Sequence, residues 1–324
     1  MLLFLAAAPY LVRRFIEPVV APRATVWIYF ALLASVVVVV VGLSVLLLLF
    51  LAPHWLTGRP ETACHHGPYC LHVLPPWAQF TLWLSVAALS GWLAIRMGWA
   101  GLAAMRASRR ARRAALARAT LITTSVPYPV YEAADRTVFA WTVGIWRPVI
   151  VVSQRLRESL APEEFGVVLA HEEAHASGHD NLILLVSRIV DNALFFFPGV
   201  TRAHAGVRRS VEISADAFAS RGTGDRLLVA MSVNRVARLL FESSRPGSFG
   251  AQTVGAAFSH GELAVERVHH LLEDTSRPSR RRLVCGVATL VLVLVVFGTS
   301  LYSVTGISLT GDPRTTACAE YAPL

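Results

Sequence analysis

From residue 28 to residue 51 the chain reads IYFALLASVVVVVVGLSVLLLLFL, without a charged residue. A helix of about 20 apolar residues crosses a bilayer, so this run constrains the fold more than any other. Residues 77–95 and 283–304 also qualify, the former interrupted by Ser and Gly but by no charge. Over the whole chain 54% of residues are apolar and the mean hydropathy is +0.52. That is too apolar for an ordinary soluble domain and too uneven for a bundle of spans alone. The opening, MLLFLAAAPYLV, is too short to span before Arg13 and Arg14 and lacks the basic start of a signal peptide. Residues 1–16 are therefore read as a short first helix, half-inserted or the remnant of a fourth span.

The arginines orient these spans. The chain has no lysine, and its formal net charge is +9. Arg96, Arg106, Arg109, Arg110, Arg112, Arg113 and Arg118 follow the second span, and Arg277, Arg280, Arg281 and Arg282 precede the last. Basic residues flank spans on the cytoplasmic side. The expected organisation is a membrane region over 1–105, a cytoplasmic body over 106–282, a span over 283–304 and an outer tail over 305–324. A bacterial-type plasma membrane is the expected location. The run RASRRARRAALAR would suit nucleic acid in a soluble protein; abutting a span, it reads as lipid contact and a topology signal, with no direct nucleic-acid partner. Cys64, Cys70 and Cys318 fall on the outer side, Cys285 in a span and none in the body, as an oxidising exterior requires. In CHHGPYC a Cys64–Cys70 disulfide closing on Gly67 and Pro68 is expected; metal binding through His65 and His66 is the alternative.

Within the body, residues 137–153 (TVFAWTVGIWRPVIVVS) alternate and are rich in Val, Ile and Trp, which predicts two short strands about an irregular turn. Then comes SLAPEEFGVVLAHEEAHASG. Pro162 suits a first helical turn, Glu163 and Glu164 suit its positive end, and Gly178 sits where a C-cap glycine belongs. His171 and His175, four apart, share one face and can present ring nitrogens to one tetrahedral zinc. Glu172 is rotated by about 100° from His171 and can act as a general base toward water. The H-E-x-x-H pattern alone is short enough to occur by chance on a solvated helix. His179 is the nearest third donor, but Gly178 is expected to end the helix before it, and Asn181 stands where the longer zinc motif has its third histidine. A second helix is predicted over 204–222, and on it Glu212 and Asp216 stand four apart. Two acids at that spacing repel mildly as an exposed pair. As a His-His-Glu centre they make sense: Glu212 ligates and Asp216 hydrogen-bonds a ligand histidine.

Taken together, VVLAHEEAHASGHD followed by VEISAD, after TVGIWRPVIVVS, closely resembles the membrane gluzincins of the BlaR/MecR antirepressor type, metallopeptidase family 56. It is similar, more distantly, to the HtpX and CAAX-processing family 48. The resemblance covers roughly 120–240 and the arrangement of spans. It implies a mainly α, polytopic membrane protein with a cytoplasmic α+β zincin (gluzincin) domain. It also implies one Zn2+ on His171, His175 and Glu212, Glu172 as general base, and Asp216 and Asp180 as acids behind the ligands. The implied role is regulatory proteolysis of a protein substrate, a transcriptional repressor. Membrane-protein quality control of the HtpX type is one alternative. A non-catalytic membrane transducer is another, against which Glu172 argues, since a receptor needs no general base. Sensor-transducers of this type carry a large extracellular penicillin-binding domain after the last span. Here TGISLTGDPRTTACAEYAPL follows instead, so the expectation is no labelling by a beta-lactam and control by a separate sensor protein or the membrane.

The remaining segments carry smaller expectations. Residues 180–200, apolar but holding Arg188 and Asp191, are read as a buried or membrane-surface helix stopped by Pro198. Residues 243–262 read as a loop. The segment after them reads as an amphipathic helix returning to the bilayer, with His269 and His270 as surface residues. His204, His260 and several arginines are equal candidates for stabilising an oxyanion. A substrate is expected to lie as an extended strand along 137–153.

Overall fold

The structure is a computed structural model, and it describes residues 2–50, 76–117, 119–122, 124–243 and 264–272, with 284 and 288. Cys64, Cys70, Cys285, Cys318, His260, the expected outer loop, the expected 283–304 span apart from residues 284 and 288, and the tail lie outside the described residues. The described chain is mostly helical with one small mixed sheet.

Helix α1 (Leu2–Leu11) continues through a π-helical turn over Val12–Ile16, and α2 (Pro22–Phe50) carries the long apolar run. Helix α3 (Pro76–Ala117) is continuous, so the apolar stretch and most of the arginine run share one rod. Both α2 and α3 are long and apolar enough to cross a membrane. The described residues separate into two compact units. One holds 34–50 and 76–96; the other holds 2–33, 97–243 and 264–272. In the smaller unit Val38, Val41, Leu43, Leu84, Leu89 and Trp92 are all exposed. Apolar side chains facing outward along two helices suit a lipid surroundings rather than water. The indole Trp83 Nε1–H donates to the Leu48 carbonyl at 3.1 Å.

The larger unit carries the sheet and the motif helices. Strands β1 (Ala119–Ile122), β2 (Val130–Ala133), β3 (Ala140–Val143) and β4 (Val149–Ser153) lie in the order β1-β2-β4-β3. Central β4, VIVVS, is buried throughout, as a continuous apolar run requires. It pairs parallel to β2 (Val130 opposite Ile150) and antiparallel to β3 (Trp141 opposite Val151). Gly144 permits the β3–β4 turn: its φ is +106°, and a Cβ there would stand 2.7 Å from the Arg147 carbonyl oxygen. The expected strand pair is present, and β1 and β2 add two strands that the sequence reading lacked.

After a one-and-a-half-turn helix α4 (Gln154–Ser159) comes α5 (Pro162–Gly178), which holds the H-E-x-x-H motif. Pro162 opens it, and the Glu164 carboxylate accepts the Ala161 N–H at 3.0 Å. Three successive residues anchor it in three directions. Val167 packs with Ala219 and Val229, Val168 with Val138 and Leu156, and Leu169 with Val130 and Ile150 of the sheet. Each such burial is worth about 1.5–3 kcal/mol.

Helices α6 (Asp180–Ala193), α7 (Pro198–Thr223), α8 (Arg226–Ser243) and α9 (264–272) complete the unit. Their ends correct the sequence reading in three places. His179, not Gly178, takes the left-handed cap, with φ 53°. Gly178 stays helical and serves a close approach described below. Helix α6 ends at Ala193, and Pro198 opens α7 rather than stopping its predecessor, since a first-turn proline loses no hydrogen bond. Helix α7 therefore starts six residues before 204, and it closes on Gly224 (φ +70°), not Gly222.

Candidate metal centre

His171 and His175 leave α5 on one face, with ring centroids 4.7 Å apart and planes at 89°. Their Nε2 atoms lie 3.1 Å apart. Helix α7 crosses this face and brings Glu212, whose oxygens stand 3.6 Å from His171 Nε2 and 3.9 Å from His175 Nε2. Ligand atoms of the three residues all lie within 4.8 Å of one another. Bonds of 2.0–2.2 Å to a tetrahedral ion place donors about 3.4 Å apart, so this donor set fits one metal. Behind each imidazole stands a carboxylate, 2% exposed. His171 Nδ1–H donates to Asp216 Oδ1 at 3.0 Å, and His175 Nδ1–H donates to Asp180 Oδ2 at 2.9 Å. With a proton held on Nδ1, each Nε2 faces inward, where it can ligate once it carries no proton. The sharp corner at His179 is what aims Asp180 back at His175.

Glu172 is buried at 7% exposure on the neighbouring face, toward β3. The Thr142 hydroxyl lies 2.9 Å from both its carbonyl oxygen and its Oε2, and its single proton can serve either. Asn181 sends its amide hydrogens to β3 and the turn after it, to the Thr142 carbonyl at 2.9 Å and the Gly144 carbonyl at 3.0 Å. All these groups line one pocket of about 610 Å³, with Phe139, Trp141, Val236 and Phe241 forming an apolar wall.

Residues 137–222 match the family model of the BlaR1 peptidase M56. This segment belongs to the M56 peptidases. That family is metal-dependent, and the matched segment carries His171, His175 and Glu212 in a group that could hold a metal; together with two helices apolar enough to cross a bilayer, it points to a membrane-associated metallopeptidase. No curated protein and no solved structure matches the chain.

The M56 segment is not the whole of the site. Arg267 of α9 reaches Asp216 with Nε and Nη2, both at 2.7 Å, and Glu212 with Nη1 at 3.2 Å. Arg208 also lines the pocket. Sequence reading named no particular arginine, because nothing in the spacing ties residue 267 to residue 216. His204 turns away to Ser187 of α6, 3.0 Å from its hydroxyl, and does not line the pocket. His179 is exposed and lies outside the His171–His175–Glu212 group. His269 is exposed and His270 half-buried, neither in that group.

Charge in the M56 centre follows from these contacts. Enclosure opposes ionisation of Glu212, but the His171 hydrogen bond and Arg267 hold its carboxyl well below the usual range. Burial likewise opposes Asp216, and Arg267 with His171 lowers it. His171 is disfavoured as a cation by burial and by Arg267. The hydrogen bonds with Asp216 and Glu212 outweigh both and raise it to about 9.

Proposed function

We propose that this chain is a zinc-dependent endopeptidase of a bacterial plasma membrane, multi-pass, whose zincin domain lies on the cytoplasmic side. On this reading it cleaves a protein substrate, a transcriptional repressor, in regulatory proteolysis. The observation that carries the hydrolytic part is the His171–His175–Glu212 donor set with Glu172 one residue on, facing a sheet edge across the same pocket. The arginine runs beside the apolar stretches support the orientation.

His171, His175 and Glu212 hold the metal; Asp216 and Asp180 keep the two imidazoles in the Nδ1–H tautomer. When bound, zinc supplies Lewis acidity, polarising the scissile carbonyl and making water easier to deprotonate. Glu172 accepts the proton of the attacking water on a carboxylate oxygen and returns it to the leaving amine. Thr142 restrains that carboxylate through its hydroxyl. Outward-facing backbone of β3 binds the substrate as a further strand. The stacked Phe139 and Trp141 rings, 4.6 Å apart, favour an apolar substrate side chain.

Glu172→Gln tests this. The amide is nearly isosteric but cannot take a proton, so metal content stays as in the wild type while peptide cleavage falls by 10²–10⁴-fold or more. Both are measured on one purified preparation. Undiminished cleavage in a metal-loaded variant assigns the base elsewhere and ends the reading.

A further inference from the structure

Both carboxylates behind the histidines are themselves held, and in each case by an arginine from outside the M56 segment. Asp216 receives Arg267 as a two-pronged fork, with both contacts at 2.7 Å. Asp180 receives Arg23 Nη1 on Oδ1, and Arg23 Nη2 donates to the Gly178 carbonyl at 2.5 Å. A buried carboxylate without a counter-charge is costly and free to tilt, whereas a guanidinium fork sets its plane. Arg23 stands in the first turn of α2, the long apolar helix. Arg267 stands on α9, which precedes the arginines and apolar stretch of 277–304 in sequence. Next to it, Glu266 lies 3.4 Å from Arg13 Nη2 and 3.5 Å from Arg209 Nε, and Arg209 also binds Glu17. The N-terminal segment and α9 are thus tied to each other as well as to the centre.

We propose that Arg23 and Arg267 are positioning residues of two relays, His175–Asp180–Arg23 and His171–Asp216–Arg267. Through them the segments flanking the apolar stretches set the orientation of the metal-binding histidines. The inference rests on the reading of His171, His175 and Glu212 as metal ligands. It means that residues 137–222 do not complete the centre alone, and that displacing either flanking segment loosens one ligand. Gly178 is part of the same device. A Cβ there would lie 2.7–2.8 Å from the Arg23 nitrogens and 2.8 Å from Asp180 Oδ1. Because Gly178 has ordinary helical geometry, alanine suits the backbone, and its Cβ displaces the flexible guanidinium and crowds the Asp180 carboxylate it holds.

The test uses the full chain in detergent, with Zn(II) affinity read by chelator competition and Co(II) absorption reading ligand geometry. Arg23→Gln, Arg267→Gln and Gly178→Ala should each weaken Zn(II) binding about tenfold or more, the scale of changes behind metal ligands. On Coulomb grounds alone, removing a positive charge near the site would strengthen cation binding, so a loss reads positioning rather than charge. Gly178→Ala combined with Arg23→Gln should cost less than the sum of the two, since the Arg23 contact is lost in both. Exposed Arg14→Gln serves as a charge control with unchanged affinity. Unchanged or tighter Zn(II) binding in the folded variants overturns the relays, as does additivity of the Gly178 and Arg23 changes. A wild type that binds no Zn(II), or whose binding survives His171→Ala, His175→Ala, instead overturns the metal reading and the relays with it.

Discussion

Glu172, His171 and His175 occupy one turn of one helix, yet they face two different partners. The histidines meet α7 and Glu172 meets β3, because each residue along a helix turns by about 100°. That separation lets one short motif supply both ligands and base. Protonation of His171 gives a measurable consequence. In metal-stripped protein its pKa near 9 keeps the ring charged through neutral pH, and the proton must leave before Nε2 can bind metal. Zn(II) affinity should therefore rise with pH between 6.5 and 8.5, by up to about tenfold per unit, and level off above 9. Isothermal titration in buffers of different ionisation enthalpy counts the released proton; zero release at pH 7.5 contradicts the assignment. Stability of the stripped protein moves the other way. A raised folded value contributes fully below the free-histidine value of about 6.5 and is lost as pH climbs through about 9.

At the scale of elements, β3 is a sheet edge beside the centre, and its parity decides what it can bind. Ser153 N–H donates to the Phe139 carbonyl at 2.9 Å, so Phe139, Trp141 and Val143 turn their backbone groups toward β4. Ala140 and Thr142 turn theirs outward. Asn181 takes the Thr142 and Gly144 carbonyls, which among the described residues leaves Ala140 N–H, Ala140 C=O and Thr142 N–H for the proposed substrate strand. On that proposal Asn181 sets where pairing stops. N-methylation scanned along a peptide substrate should raise KM at alternate positions, by about tenfold where a hydrogen bond is lost, and spare those between. A uniform response would place recognition in side chains alone. The same parity explains why strands were only half legible. β4 announces itself as a buried apolar run, whereas β1 and β2 are four residues each, with ATLI following an arginine-rich helix and VYEA following two prolines. Segments so short owe their pairing to neighbours rather than to propensity.

For the whole molecule, the question is which side of the bilayer holds the pocket. Helices α2 and α3 have the length and surface of spans, and the proposed orientation follows from the arginines after residue 95. A cysteine-free background with Ala107→Cys or Thr57→Cys, treated in intact cells with an impermeant thiol reagent, reads that orientation. Residue 107 should be shielded and residue 57 should react. The reverse pattern would put the pocket outside and remove a cytoplasmic repressor as substrate.

What the amino-acid order determined by itself is local and periodic. Helical geometry puts His171 and His175 on one face whatever surrounds them, an uncharged run of membrane length declares a candidate span, and alternation at 137–153 declares strands. Helix ends were less legible, since His179, Gly178 and Pro198 are each compatible with several positions around a cap. Only the tertiary structure decided which groups stand behind the histidines. Arg23 and Asp180 are 157 residues apart, and Arg267 and Asp216 are 51 apart. No periodicity spans such distances; α7 and α9 pack against α5, and Arg23 reaches in from the start of α2, where burial leaves each carboxylate in need of a cation.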